Sequence, residues 1–117
     1  MPATEEIVIN VGGVYYYTSR ETLSHAPFFA HLITDDEWYA FIDRDPKHFR
    51  VVLNWLRGCR SAQSLPRQEE CISELLDEAE FYAMDDLATT LRSRLRHSVV
   101  PPPGAAIERL VSVLKGR

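Results

Sequence analysis

Cysteine is scarce in this chain, and long hydrophobic runs are absent. Only Cys59 and Cys71 occur among the 117 residues, which excludes a fold built on disulfides and predicts reduced thiols. No apolar stretch approaches the roughly 20 residues that cross a bilayer, so no direct membrane insertion is expected. The first residues lack a basic segment followed by an apolar one, so no signal peptide is predicted. These absences together predict a cytoplasmic protein.

Excess positive charge and the common catalytic motifs are also missing. The chain has 13 Lys and Arg against 17 Asp and Glu, a net charge of −4, which predicts no nucleic-acid partner. Neither phosphate-binding glycine motif is present, and Gly12 and Gly13 are expected to form a hairpin turn instead. Asp43 and Asp45 resemble a carboxylate pair, but no nucleophile or acid–base partner accompanies them. The sequence therefore predicts a protein that is not an enzyme and binds no cofactor.

The patterns that are present predict one α+β domain. Hydrophobic residues make up 45 % of the chain and charged residues 26 %, a balance typical of globular domains. Alternating apolar residues and the two glycines predict strands at 6–11 and 14–18, and aromatic and β-branched content predicts a third strand at 38–42. Thr18 and Glu21 fit a capping box that begins a short helix. Pro27 is expected to begin a second helix.

The second half of the sequence is predicted to be helical. Asp45 and Pro46 form a strong helix start, and apolar residues then recur at helical spacing up to Gly58. Further helices are predicted at about 68–83 and 86–97. The first of these has an acidic face that is interpreted as solvated or as a partner-binding surface. Arginines near the end of the second either balance the helix dipole or pair with that face.

Prolines 101–103 divide the sequence. Three consecutive prolines favour extended polyproline geometry and end the preceding helix. The predicted organisation is a domain over residues 1–98, a linker over 99–104, and a short amphipathic helix or disordered tail over 105–117. Such a tail helix is too short to be stable alone.

Five sequence motifs occur in the order found in a known family. Residues 8–13 read VINVGG, residues 18–23 read TSRETL, and residues 41–49 read FIDRDPKHF; residues 53–57 (LNWLR) and 78–82 (EAEFY) complete the set. In this order they resemble the BTB domain of the potassium-channel tetramerisation type, over roughly residues 6–96. The resemblance implies a BTB/POZ-type fold, with a three-stranded sheet packed against about five helices.

The resemblance also implies a function and a set of contact residues. Such domains form closed homo-oligomeric rings, tetramers or pentamers, through polar side faces. The residues expected at the oligomer interface are Asn10, Thr18, Arg20, Asp43, Arg44 and Asp45. Because exposed ion pairs contribute only about 0–1 kcal/mol each, we expect the assembly to be cooperative and sensitive to salt.

Other functions of this family stay open. One is a substrate adaptor for a cullin ubiquitin ligase, but the loop at 34–37 is short where relatives often carry an insertion that helps to bind the cullin. Another is the excised cytoplasmic assembly domain of a potassium channel. One branch of channel domains holds zinc between subunits through a His and three Cys. With only Cys59 and Cys71, and no histidine paired with them in the sequence, we expect no zinc here.

Overall fold

The computed structural model describes residues 5–98. The strands in this range are β1 (Glu6–Val11), β2 (Val14–Ser19) and β3 (Tyr39–Ile42). The helices are α1 (Arg20–Leu23), α2 (Pro27–Leu32), α3 (Phe49–Leu56), α4 (Glu69–Phe81) and α5 (Asp85–Ser98), with 3-10 turns at Pro46–His48 and Ala62–Ser64. The predicted α+β class, with three strands and five helices, is confirmed. The predicted linker and tail lie outside the described residues.

Strand β1 is the centre of the sheet, whose order is β2-β1-β3. It pairs antiparallel with β2, from Glu6 opposite Ser19 to Val11 opposite Val14. It pairs parallel with β3, from Val8 opposite Tyr39 to Val11 opposite Ile42. Since side chains alternate across a strand, the fully buried Ile7, Ile9 and Val11 define an inner face that packs against the helices.

The β1–β2 turn requires glycine for two reasons. Gly12 and Gly13 have φ of 57° and 102°, the positive values of a two-residue hairpin turn. The N–H of Gly12 also donates to the carbonyl of Ile42 (2.9 Å). A Cβ at Gly12 would collide with the carbonyl oxygen of Arg44, whereas one at Gly13 would meet open space. The turn is thus packed directly against the segment that follows β3.

The capping prediction at Thr18 was wrong by one residue. The N-cap of α1 is Ser19, whose Oγ accepts from the N–H of Thr22 at 3.1 Å. Thr18 stays in β2, opposite Ile7, so its side chain lies on the inner face and is turned away from the helix start. The strand pairing therefore overrides the local capping signal.

The predicted helix start at Asp45 is confirmed, with a detail that the sequence does not show. Asp45 Oδ1 accepts from the N–H of Lys47 at 2.9 Å, but the first turn is a 3-10 turn and the α-helix begins only at Phe49. Predicted strand and helix ends elsewhere differ by at most two residues: β3 begins at Tyr39, and α4 ends at Phe81. Beyond α4, Ala83 adopts a left-handed φ of 55°.

The core is a single cluster between the sheet and the helices. Its centre is aromatic: the ring centroids of Phe29 and Tyr82 lie 5.0 Å apart, and those of Phe49 and Tyr82 5.7 Å apart. The hydroxyl of Tyr82 is buried without a hydrogen-bond partner in the described part of the chain, and burial raises the pKa of Tyr82. Within residues 5–98, no helix is long and apolar enough to cross a membrane.

The two turn glycines provide a matched pair of substitutions. Both Gly12→Ala and Gly13→Ala force a side chain into positive φ, which costs about 1–2 kcal/mol. Only Gly12→Ala adds a collision with a backbone oxygen, so we expect it to lower the free energy of unfolding by about 3 kcal/mol or more. Urea denaturation of both variants measures this difference. Equal losses would show that the contact between the turn and Arg44 is not tight.

Candidate interaction surfaces

The fold divides the six predicted interface residues between two ends of the sheet. Because β1 and β3 are parallel, Asn10 near the end of β1 lies close to the segment Asp43–Asp45 that follows β3. Thr18 pairs with Ile7 at the beginning of β1, and the N–H of Arg20 donates to the carbonyl of Glu5. The six residues therefore do not form one contiguous patch.

Asn10 and Thr18 are buried within the single chain. Asn10 is 8 % exposed and Thr18 9 %. The Oδ1 of Asn10 accepts from the N–H of Gly13 at 2.8 Å, and its Nδ2 donates to the hydroxyl of Tyr39 at 3.1 Å. Asn10 thus supports the hairpin turn and fixes a side chain of β3, and Thr18 belongs to the inner face.

Arg20 binds the backbone of the loop between α2 and β3. Its guanidinium binds both carboxylate oxygens of Glu5, at 2.7 and 3.2 Å. It also donates to the carbonyls of Thr34 (3.0 Å) and Glu37 (2.6 Å), the two ends of the short 34–37 turn. The hydrogen bond from Arg20 lowers the pKa of Glu5, so this pair is ionised at neutral pH.

Arg44 makes the most enclosed ion pair described. Its Nε and Nη2 donate to the two carboxylate oxygens of Glu78, both at 2.9 Å. The guanidinium also lies over the ring of Phe81, 4.0 Å from the centroid. The side chains of Arg44 and Glu78 are only 28 % and 15 % exposed, and the hydrogen bond to Glu78 raises the pKa of Arg44. Arg44 therefore holds the end of β3 against α4 within its own chain.

Asp43 and Asp45 are the exposed members of the predicted set. Asp45 uses one oxygen to cap the 3-10 turn. Their carboxylates are therefore accessible to a second chain.

The acidic face of α4 is partly neutralised within the chain. Glu74 Oε1 accepts from Lys47 Nζ at 2.9 Å and lies 2.8 Å from His48 Nε2. The hydrogen bond with His48, followed by that with Lys47, lowers the pKa of Glu74. Glu80 pairs with Arg92 of α5 at 2.7 Å, which is one of the two roles that the sequence left open for the arginines of that helix. Cys71 lies beside Glu74 and His48, and the ligand atoms of all three are within 4.8 Å of one another.

An aromatic surface on the sheet was missed by the sequence analysis. The register places two rows across the three strands, Tyr17–Val8–Tyr39 and Tyr15–Asn10–Phe41. We call these six residues the outer sheet face, since they alternate with the buried Ile7, Ile9 and Val11. The exposed fractions are 54 % for Tyr15, 58 % for Tyr17, 40 % for Tyr39 and 53 % for Phe41. The alternation along β1 indicates which residues of that strand face outward, but the cross-strand register is needed to align the aromatics.

When this chain is compared with known proteins, it matches one family. Residues 7–91 match the BTB/POZ domain family. The chain is 35 % identical over 98 residues to the mouse "BTB/POZ domain-containing adapter for CUL3-mediated RhoA degradation protein 2", covering 77 % of this chain and 30 % of that protein. It is 33 % identical over 131 aligned positions to the human "BTB/POZ domain-containing protein KCTD3", covering 95 % of this chain and 16 % of that protein.

A third relative shows the same partial coverage. The rat "SH3KBP1-binding protein 1" is 34 % identical over 125 aligned positions, covering 90 % of this chain and 17 % of that protein. This chain therefore spans less than a third of the length of each of these relatives. The alignment with the human protein has more positions than the 117 residues of this chain, so that relative contains inserted residues.

The Arg44–Glu78 pair can be tested by a double-mutant cycle with Arg44→Met and Glu78→Gln. We expect a coupling free energy of about 1–2 kcal/mol, because the pair is bidentate and largely shielded from water. The matched control is Arg92–Glu80, whose side chains are 48 % and 49 % exposed, and for which about 0.5 kcal/mol or less is expected. Urea denaturation of each variant provides the energies. Equal coupling in the two cycles would contradict the assigned role of Arg44.

Proposed function

The chain belongs to the BTB/POZ domain family of the potassium-channel tetramerisation type, and we propose that it assembles into a closed homo-oligomeric ring of four or five copies. As a BTB/POZ domain it is a protein-interaction module. The observation that carries the ring proposal is the outer sheet face, where four aromatic side chains are each 40 % or more exposed. Neighbouring aromatics on one open sheet face are costly to leave in water and are typical of interface centres.

The size of this face suits part of a stable interface. An aromatic side chain buries about 150–250 Å² when fully covered, so four half-exposed rings offer roughly 400 Å². A standard interface buries about 800 Å² on each partner. The outer sheet face would therefore supply about half of one contact, and polar residues around it would supply the remainder.

A ring needs two different surfaces on each copy. Head-to-tail contacts close into a ring when the rotation between neighbours permits. We propose that the outer sheet face of one copy receives the exposed Asp43 and Asp45 of the next, because tyrosine hydroxyls can donate hydrogen bonds to carboxylates. Asn10 and Arg44 hold the geometry of this contact region from within, whereas Thr18 and Arg20, at the other end of the sheet, stay predicted interface residues. The proposed function includes no catalytic step.

Substitutions on the outer sheet face test this proposal. Tyr17→Glu and Phe41→Glu place a charge where a neighbour would have to desolvate it, which is strongly unfavourable. We expect each variant to be monomeric under conditions where the wild-type chain is a tetramer or pentamer. Light scattering after size exclusion measures the mass, and far-ultraviolet circular dichroism checks that the helices remain.

Thr89→Glu is the matched control, because it adds the same charge at an exposed site on α5, away from the sheet. It should leave the oligomer intact. A wild-type chain that is monomeric at all concentrations, or sheet variants that keep the wild-type mass, would contradict the ring on this face. Arg44→Glu is a poorer test, because it would also place like charges together at Glu78.

A salt series distinguishes aromatic from polar assembly. Exposed ion pairs weaken as salt shortens the screening distance to about 3 Å at 1 M, whereas apolar burial does not weaken. If the aromatic rows dominate, the oligomer should keep its mass in 1 M salt. If the polar residues dominate, as the sequence pattern favours, the mass should fall towards the monomer with increasing salt. Light scattering at several salt concentrations separates the two.

A cullin adaptor is the second candidate, favoured by the name of the mouse relative, an adapter for CUL3-mediated degradation. The 34–37 segment argues against it in this chain. It is a tight turn closed by Glu37 N–H to Thr34 O (3.0 Å) and Thr34 N–H to Glu37 Oε1 (2.8 Å), and it lacks the inserted residues that relatives often carry there. We expect no binding at micromolar concentrations in calorimetry with the amino-terminal domain of the cullin. A Kd below about 1 μM would favour the adaptor function instead.

A further inference from the structure

Three side chains of different donor type converge where the 3-10 turn packs against the first half of α4. His48 is the last residue of the 3-10 turn, and Cys71 and Glu74 lie three positions apart on one face of α4. Their ligand atoms are all within 4.8 Å of one another. The His48 side chain is only 11 % exposed and that of Glu74 47 %, so the cluster is open on one side.

We propose that His48, Cys71 and Glu74 form a Zn²⁺ site within a single chain. Imidazole nitrogen, thiolate sulfur and carboxylate oxygen are the three protein ligands of zinc. Zinc–ligand bonds of about 2.0–2.3 Å in a tetrahedron separate neighbouring donor atoms by roughly 3.3–3.8 Å. In the structure the three ligand atoms lie within 4.8 Å of one another, and His48 Nε2 is 2.8 Å from Glu74 Oε1. Zinc binding would therefore need rotation of the Cys71 and Glu74 side chains to bring the three atoms to the tetrahedral spacing.

The surroundings of the cluster suit a cation with one open coordination position. A cleft of 240 Å³ beside it is lined by Asp45, Lys47, His48, Glu74, Asp77 and Glu78. Four of these side chains are carboxylates, and the cleft has space for the water that completes the coordination of a three-ligand zinc site. Both contacts described for Glu74 use Oε1, which leaves Oε2 available to a metal ion.

Lys47 would compete with a metal ion for the carboxylate of Glu74. Its Nζ lies 2.9 Å from Glu74 Oε1, near where a metal ion would share the same carboxylate. The Lys47 side chain is 57 % exposed and is therefore able to turn into solvent when a metal binds. Removing the charge of Lys47 should therefore increase zinc affinity. If His48 and Glu74 only formed a structural hydrogen bond, this substitution would not affect zinc binding.

This site differs from the zinc sites of one branch of channel domains. Those are held between subunits by a His and three Cys, whereas here one chain supplies one His, one Cys and one Glu. The sequence predicted no zinc because it has only two cysteines and no histidine is paired with either of them. The fold brings His48 to α4 across 26 positions, which revises that expectation. The inference is independent of the proposed ring.

Cobalt titration of the untagged, reduced full chain tests the site. Co²⁺ bound by a thiolate gives a near-ultraviolet charge-transfer band, which we expect to saturate at one metal ion per chain and to disappear when Zn²⁺ is added. Cys71→Ser should remove the band. Cys59→Ser is the matched control and should keep it, because Cys59 is exposed after α3 and lies outside the cluster.

The remaining ligands are tested by affinity. Competition with a coloured zinc chelator should show Zn²⁺ binding weakened about 10-fold or more by His48→Gln or Glu74→Gln, and strengthened several-fold by Lys47→Gln. Zinc should raise the melting temperature of the wild-type chain but not that of His48→Gln. Absence of the cobalt band in the wild type, or an equal band in Cys71→Ser, would overturn the proposal.

Discussion

The pairing of β1 with both of its neighbours is the constraint on which the other surfaces depend. Ile7, Ile9 and Val11 are fully buried, and a shift of one residue in register would move them into water. Because side chains alternate, the same register orients Val8 and Asn10 outward and aligns them with the aromatics of β2 and β3. Burial of the inner face thus creates the exposed outer sheet face that the proposed ring would cover.

The segment that follows β3 connects this sheet to the helices. Gly12 packs against the carbonyl of Arg44, and the guanidinium of Arg44 binds Glu78 on α4. Asp45 then begins the 3-10 turn that carries His48 to the same helix. One short stretch of chain therefore positions both the exposed carboxylates of the proposed ring contact and the histidine of the proposed zinc site.

The charged motif in this segment has more than one physical role. Asp43, Arg44 and Asp45 are adjacent in sequence, and the resemblance implies that all three lie at a subunit contact. In the structure Arg44 is engaged with its own chain, while the two aspartates remain exposed. Arginine has a planar fork that reaches a carboxylate on α4, whereas the shorter aspartates extend only to solvent or to the nearest backbone N–H. A single motif thus stabilises the domain and presents charge at its surface.

The sequence by itself determined the elements of local origin: the glycine hairpin, the Asp45 helix start, the amphipathic α3, the α+β class and the family. These depend on backbone preferences and on the spacing of neighbouring residues, which are visible in one chain segment at a time. Only the tertiary structure decided which side chains from distant segments meet. Thr18 lost its capping role to strand pairing, the exposed tyrosines became one surface through the register, and Cys71 met His48 through the packing of α4. Such contacts join residues far apart in the chain, and no local pattern encodes their distances.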